Sequence, residues 1–220
     1  MGEKPDIIAK TGLQFFGRIA ASISHEMKNV LAIVNENAGL LEDLTFMAER
    51  GQPTDPARLM KMAQAVKKQI GRGDDILKNM NLFAHTIDAT VAEVDLQEII
   101  DLFLALTERL TTTRGFALDL KLPPGQLTIP TAPFFLMNLL WSILEFFMSA
   151  GGREKRLELV IAETENSVKI QLRQPAGFNR HLLESFPSDS EKAMLGVLAA
   201  DLKVEPKAGE IVLRLPKKME

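Results

Sequence analysis

His25-Glu26-Met27-Lys28-Asn29 brings an imidazole, a carboxylate, an amine and a carboxamide into little more than one helical turn. A histidine ring can carry a phosphoryl group on a nitrogen, and an adjacent carboxylate can accept the proton of the nitrogen that does not react. Asn29 follows four residues later on the same helical face, where it can order water or a partner's oxygens, and Lys28 adds a cation there. The chemistry these residues suggest is phosphoryl relay through His25, with Glu26, Lys28 and Asn29 in support. A zinc-protease reading fails, because that motif requires a second histidine where this chain has Asn29. His85 and His181 have no comparable neighbours and read as solvated side chains.

A helix must position these groups. From Gly12 to about Glu49 the chain has no proline, and apolar residues recur at Ile19, Ile23, Met27, Val30, Val34, Ala38, Leu41 and Leu44. His25 lies roughly 200° round the helix from Ile23 and should face solvent, with Ala32 leaving room for a docking partner on that face. Gly51 to Pro56 is a breaker-rich connection, with Asp55 placed to cap and Pro56 at the first position of the next helix. A second seam follows at Ala63, Val66, Ile70, Gly73, Leu77, Met80, Ala84 and Ile87. The expectation is an antiparallel helical hairpin over residues 8–90. A lone hairpin leaves apolar residues of both helices facing water, so two copies are expected to pair as a dimeric four-helix bundle. Ile33 on the first helix, with Met80 and Phe83 on the second, are candidates for the surface that docks a partner.

Residues 91–220 have a different texture, with the boundary near 88–95. Asp95 should cap a helix to about Leu110, and Phe116–Leu122 alternates as a strand, with a short strand at Thr128-Ile129. Pro133 to Met148 is apolar nearly all round, as a buried helix would be. Leu157–Glu163 and Val168–Arg173 read as a strand hairpin, Asp189 opens a helix to about Leu202, and Glu210–Leu215 is a last strand. The fold class is therefore α+β, a helical hairpin followed by an α/β sandwich.

Composition narrows the function. A net charge of −3 and a pI near 5.7 give no support to nucleic-acid binding. The absence of cysteine excludes disulfides and thiolate metal sites and fits a cytoplasmic location. The N-terminus lacks a signal peptide's apolar core. The longest greasy stretch, Phe134 to Met148, is interrupted by Asn138, Ser142 and Glu145 and is too short to span a membrane.

Ser24-His25-Glu26-Met27-Lys28-Asn29, followed by Val30-Leu31-Ala32-Ile33, resembles the phosphoacceptor motif of two-component sensor histidine kinases. In that family the motif lies on the first helix of a dimeric hairpin and an α/β ATP-binding domain follows, so the resemblance covers the chain from about residue 12. It implies that His25 is phosphorylated, that Glu26 is the general base, and that Asn29 assists dephosphorylation of the partner. The proline frequent after that Asn is Val30 here, which should straighten the helix and removes no reacting group. The nucleotide motifs of the family are altered. Asn138-Leu139-Leu140-Trp141-Ser142-Ile143 keeps the frame of the buried helix, with Ser142 where the family has its Mg²⁺-binding Asn and Ile143 where it has a small residue. Gln174-Pro175-Ala176-Gly177-Phe178 stands for the adenine-reading Asp-x-Gly-x-Gly loop, and Gly196 is what remains of the later glycine turn. Trp141, Phe146, Phe147 and Phe178 read as side chains that fill the old pocket.

The resemblance, together with these departures, implies a kinase-derived histidine phosphotransferase that relays a phosphoryl group between response-regulator receiver domains through His25. No cofactor is expected in this chain, ATP included; Mg²⁺ would belong to the receiver. The expected partners are a second copy, receivers, and an upstream hybrid histidine kinase. Two alternatives stay open: a receiver phosphatase using Glu26 and Asn29, and a non-catalytic pseudokinase or dimerisation module.

Overall fold

A computed structural model describes residues 3–150, 155–174 and 186–218. The chain opens with two long helices, α1 (Glu3–Glu49) and α2 (Pro56–His85). The first begins earlier than its apolar seam, because Pro5 falls in the first turn, where its missing N–H costs no helical bond. Asp55 and Pro56 start α2 as expected, and the Asp55 carboxylate accepts the Ala57 N–H at 2.9 Å.

The chain divides into two compact units, Ile19–Leu82 and the remainder, which joins the residues up to Arg18 to those from Phe83 onward. In the helical unit the seam of each helix splits in two. Ile19, Val30 and Leu44 of α1 and Met62 and Gly73 of α2 are buried, with Met27, Val34, Val66 and Met80 half-buried beside them. A Cβ on Gly73 would lie 3.5 Å from Val30 Cγ1 and 3.7 Å from Met27 Cε, so the register of the two helices puts Gly73 beside these residues. Ala38 and Leu41 on α1, and Ala63, Ile70 and Leu77 on α2, remain exposed. The last three recur every seven residues, the repeat of a second packing seam.

The other unit is α+β. After α2 come β1 (Ala92–Asp95), α3 (Leu96–Thr112), β2 (Ala117–Lys121), β3 (Thr128–Thr131), α4 (Pro133–Ala150), β4 (Arg156–Glu163), β5 (Ser167–Arg173), α5 (Asp189–Val197), β6 (Asp201–Glu205) and β7 (Glu210–Pro216). The main sheet runs β2-β4-β5-β7-β6, with β2 parallel to β4 and the other pairs antiparallel, while β1 and β3 form a separate antiparallel pair. Period-two burial puts Leu157, Leu159 and Ile161 of β4 and Val168, Ile170 and Leu172 of β5 in the core. Helix α4 fills the centre, with Leu136, Leu139, Leu140, Ile143, Leu144 and Phe147 fully buried. Asp95 caps α3 as expected, accepting the Gln97 N–H.

Rings from the ends of the long helices join this core. Phe83 of α2 is fully buried, with its centroid 5.6 Å from Phe15 and from Phe16 of α1 and 5.8 Å from Phe134 of α4. Arg18 of α1 pairs with Glu145 of α4 and lies over the Trp141 ring, 5.5 Å from its centroid.

Two expectations need correction. The helix opened by Asp189 ends at Val197, not near Leu202, and Asp201–Glu205 is a strand on the sheet edge. The stop is a left-handed Ala199 (φ +47°), after which the Ala200 N–H reaches back to Leu195 O at 3.0 Å. Glycine is the usual residue for that turn, so alanine conceals it. Strand β1 also went unforeseen, since four residues paired only with β3 carry little pattern of their own.

Candidate functional site

The His25 turn lies in the middle of α1, where uninterrupted helix fixes the direction of each side chain. His25, Lys28, Asn29 and Ala32 are all exposed on one face. Among the described residues, the side chains of His25, Lys28 and Asn29 make no hydrogen bond or ion pair, so all three are available to an incoming group. Glu26 is different. Its side chain is only 18% exposed and turns toward α2, with Oε2 3.5 Å from Nη2 of Arg72. Consecutive helical residues point about 100° apart, which is why Glu26 faces the second helix while His25 faces solvent. The structure therefore brings His25, Lys28 and Asn29 together on the surface and joins Glu26 to Arg72.

Sequence reasoning missed Arg72. Nothing near it in the chain marks it, and only the register set by Gly73 against Met27 and Val30 puts it opposite the His25 turn. The proposed docking residues need revision too. Phe83 is fully buried in the aromatic cluster and offers no surface, and Ile33 and Met80 are half-buried. The large apolar side chains exposed on the helical unit include Leu31 (60%) and Leu82 (49%). His85 is exposed as expected and pairs with Asp88 through Nδ1 at 2.7 Å. His181 and residues 175–178 lie outside the described residues.

Most of the α4 positions in the altered motif are buried. Asn138 is 2% exposed and its Nδ2 has no partner, Trp141 is 3% exposed, and Ile143 and Phe147 are fully buried. Phe146 stacks on Phe186, with centroids 4.6 Å apart and ring planes at 27°. Gly196 is exposed with open space around it. Among the described residues no cluster of His, Cys, Asp or Glu is arranged to hold a metal ion, and no helix is long and apolar enough to cross a membrane.

No family model matches the chain, and no curated protein matches it. Among solved structures it is similar to the Acinetobacter baumannii histidine kinase AdeS, at 8% identity and a TM-score of 0.49, over 89% of this chain and 98% of that one. The catalytic domain of histidine kinase ThkA aligns at 12% identity and a TM-score of 0.49, over 59% of this chain and 99% of the domain. ThkA in complex with response regulator protein TrrA aligns at 14% identity and a TM-score of 0.47, over 94% of this chain and 63% of that one. At these identities and scores the likeness assigns no residue a role, a ligand or a partner here.

Proposed function

We propose that this chain is a histidine phosphotransferase of two-component signalling, which takes a phosphoryl group from the aspartyl phosphate of one receiver domain and passes it to another. The observation that carries the reading is the solvent-facing His25, which makes no hydrogen bond among the described residues, with the Lys28 ammonium and the Asn29 carboxamide on the same face. In the forward step a lone pair on one ring nitrogen attacks phosphorus as the bond to the aspartyl oxygen breaks, and the carboxylate leaves. The ring keeps the proton on its other nitrogen and carries the positive charge until transfer to the next aspartate reverses the step. Such a transition state is loose and asks for positioning and charge stabilisation more than covalent help. The receiver would bring its own Mg²⁺.

The filled core around Trp141, Phe147 and the Phe146–Phe186 stack supports a chain that does not draw the group from ATP. The residues present do not suit a nucleotide: the family's metal-holding Asn is Ser142, and Ile143 adds bulk beside it. This reading puts the protein in the cytoplasm, between receivers.

It also calls for a second copy. Leu31, Leu41, Ile70 and Leu77 are 60, 37, 53 and 50% exposed, and a two-fold partner would cover them. Charge agrees with this. From Asn29 to Glu49, α1 carries Glu36, Glu42, Asp43 and Glu49 and no base, while α2 up to Gly73 carries Arg58, Lys61, Lys67, Lys68 and Arg72 and no acid. Among the described residues only Arg72 of these nine is in an ion pair, so the rest are free to pair across a dimer.

The test is incubation with labelled, phosphorylated receivers beside His25→Ala. Acid-labile, base-stable label on the wild type and none on the variant is expected; no label from any receiver of the same genome would overturn the relay. The exposure of Asn29 keeps a phosphatase as the second reading. In that case Asn29→Ala abolishes receiver dephosphorylation and His25→Ala does not.

A further inference from the structure

Glu26 is the one polar member of the His25–Asn29 turn that the structure turns away from solvent, and what it turns toward is a cation. The Arg72 side chain is 51% exposed and, among the described residues, holds a single carboxylate contact, at 3.5 Å. A guanidinium has five N–H donors in a fixed fork. One long contact with Glu26 leaves most of them without a partner among the described residues, and that contact holds Arg72 beside the turn that carries His25 and Asn29. The same register places Gly73 beside Met27 and Val30. Lys28 is the other cation on this turn, but as a point charge on a free stem it lacks the planar fork that matches phosphoryl oxygens.

On the strength of the phosphotransfer reading, we propose that Arg72 is a catalytic residue whose free donors contact the phosphoryl oxygens in transit, and that Glu26 is a positioning residue acting through Arg72 rather than on the His25 ring. In the transfer step the bonds made and broken are those already described. Arg72 gives and takes no proton, and its charge offsets the negative charge spread over the equatorial oxygens. Glu26 holds the fork in place beforehand, so less side-chain freedom is lost when the group arrives. The competing role is a plain surface strut, and such pairs contribute little to stability.

The two roles separate in a double-mutant cycle on single-turnover transfer from a phosphorylated receiver, read as maximal rate and half-saturating receiver concentration. Arg72→Met is expected to lower the maximal rate roughly 10- to 100-fold, the usual scale for a charge-assisted contact, and to move half-saturation less. Arg72→Lys should recover part of the loss, and all variants should keep the wild-type helical circular dichroism. Glu26→Gln should cost less than Arg72→Met and add nothing to it in the double variant. If Arg72→Met transfers at the wild-type rate, the assignment of Arg72 is wrong. Should Glu26→Gln keep its full cost in the Arg72→Met background, Glu26 acts on the ring directly and the inference falls. A labelled wild type with either of those results leaves the relay intact, whereas a wild type that takes no label removes the relay and this inference together.

Discussion

The exposed second seam makes the dimer testable by charge insertion at Ile70 and Leu77. These side chains lie seven residues apart on α2 and are 53 and 50% exposed, so about half of each is already covered by its own chain. Burying a whole aliphatic side chain of this size contributes roughly 1.5–3 kcal/mol, and the uncovered half therefore about 1 kcal/mol. Two such residues on each of two copies give a contribution to association of about 4 kcal/mol. Ile70→Glu with Leu77→Glu removes it and adds four carboxylates that a closed seam would have to desolvate. The loss corresponds to at least a ~1,000-fold weaker dimer. Sedimentation velocity over a concentration series should find the wild type dimeric at micromolar concentration and the double variant monomeric. Circular dichroism should be nearly unchanged, because Val66, Gly73 and Met80, which line the intrachain seam, are untouched. The wild-type melting temperature should rise with protein concentration and the variant's should not. A wild type that sediments as a monomer at micromolar concentration refutes the reasoning, as does a double variant with the wild-type mass.

Three further perturbations probe the fold that carries the site. Phe83→Ala empties a fully buried position ringed by Phe15, Phe16 and Phe134 and should cost about 3–5 kcal/mol in urea unfolding; a loss below about 1 kcal/mol would mean the cluster is not a core. Ala199→Gly relieves a left-handed alanine at the end of α5 and should stabilise by roughly 0.5–1 kcal/mol, so a lower urea midpoint would contradict the turn. Arg173, and then Lys121, hydrogen-bond the Glu158 carboxylate and hold its pKa below the ordinary 4.5. A depressed carboxyl stabilises the fold above pH 4.5 and ceases to as pH falls through its folded value. Glu158→Gln should therefore melt below the wild type at neutral pH, with the gap closing in acid; an equal gap at both ends would discount the two hydrogen bonds.

The fold was legible wherever one element's pattern was set by its own burial. Helix α4 is apolar all round because it is buried all round, and β4 and β5 alternate because one face of the sheet meets the core. Asp55 and Asp95 announce helix starts because capping is a contact over two residues. What escaped was set by distant partners. Strand β6 exists because β7 is beside it, and the apolar run from Leu195 to Leu202 fits a helix equally well until the Ala199 turn is known. The seams of α1 and α2 were found as apolar positions. Their division into a covered line and an exposed line depends on which face each helix offers the other, and the repeat alone does not contain that.

The same distinction decides what Glu26 does. In the sequence its nearest chemical neighbour is His25, and a carboxylate beside an imidazole suggests a base oriented by an acid. On a helix, however, adjacency in the chain separates side chains by about 100°, while positions three or four apart converge. His25 therefore shares its face with Lys28 and Asn29, and Glu26 is carried round to α2 to meet Arg72. The candidate residues that the structure leaves on one exposed face are those at helical intervals from the histidine. Arg72 comes from the other helix, through a register that Gly73, Met27 and Val30 fix. The hairpin sets a guanidinium on α2 against a carboxylate from the turn of α1 that also carries the solvent-facing imidazole. Under the proposed relay, that arrangement would give a phosphoryl group in transit a charged fork that a lone helix could not hold in place, a chemical reason for an acceptor to lie within a paired hairpin.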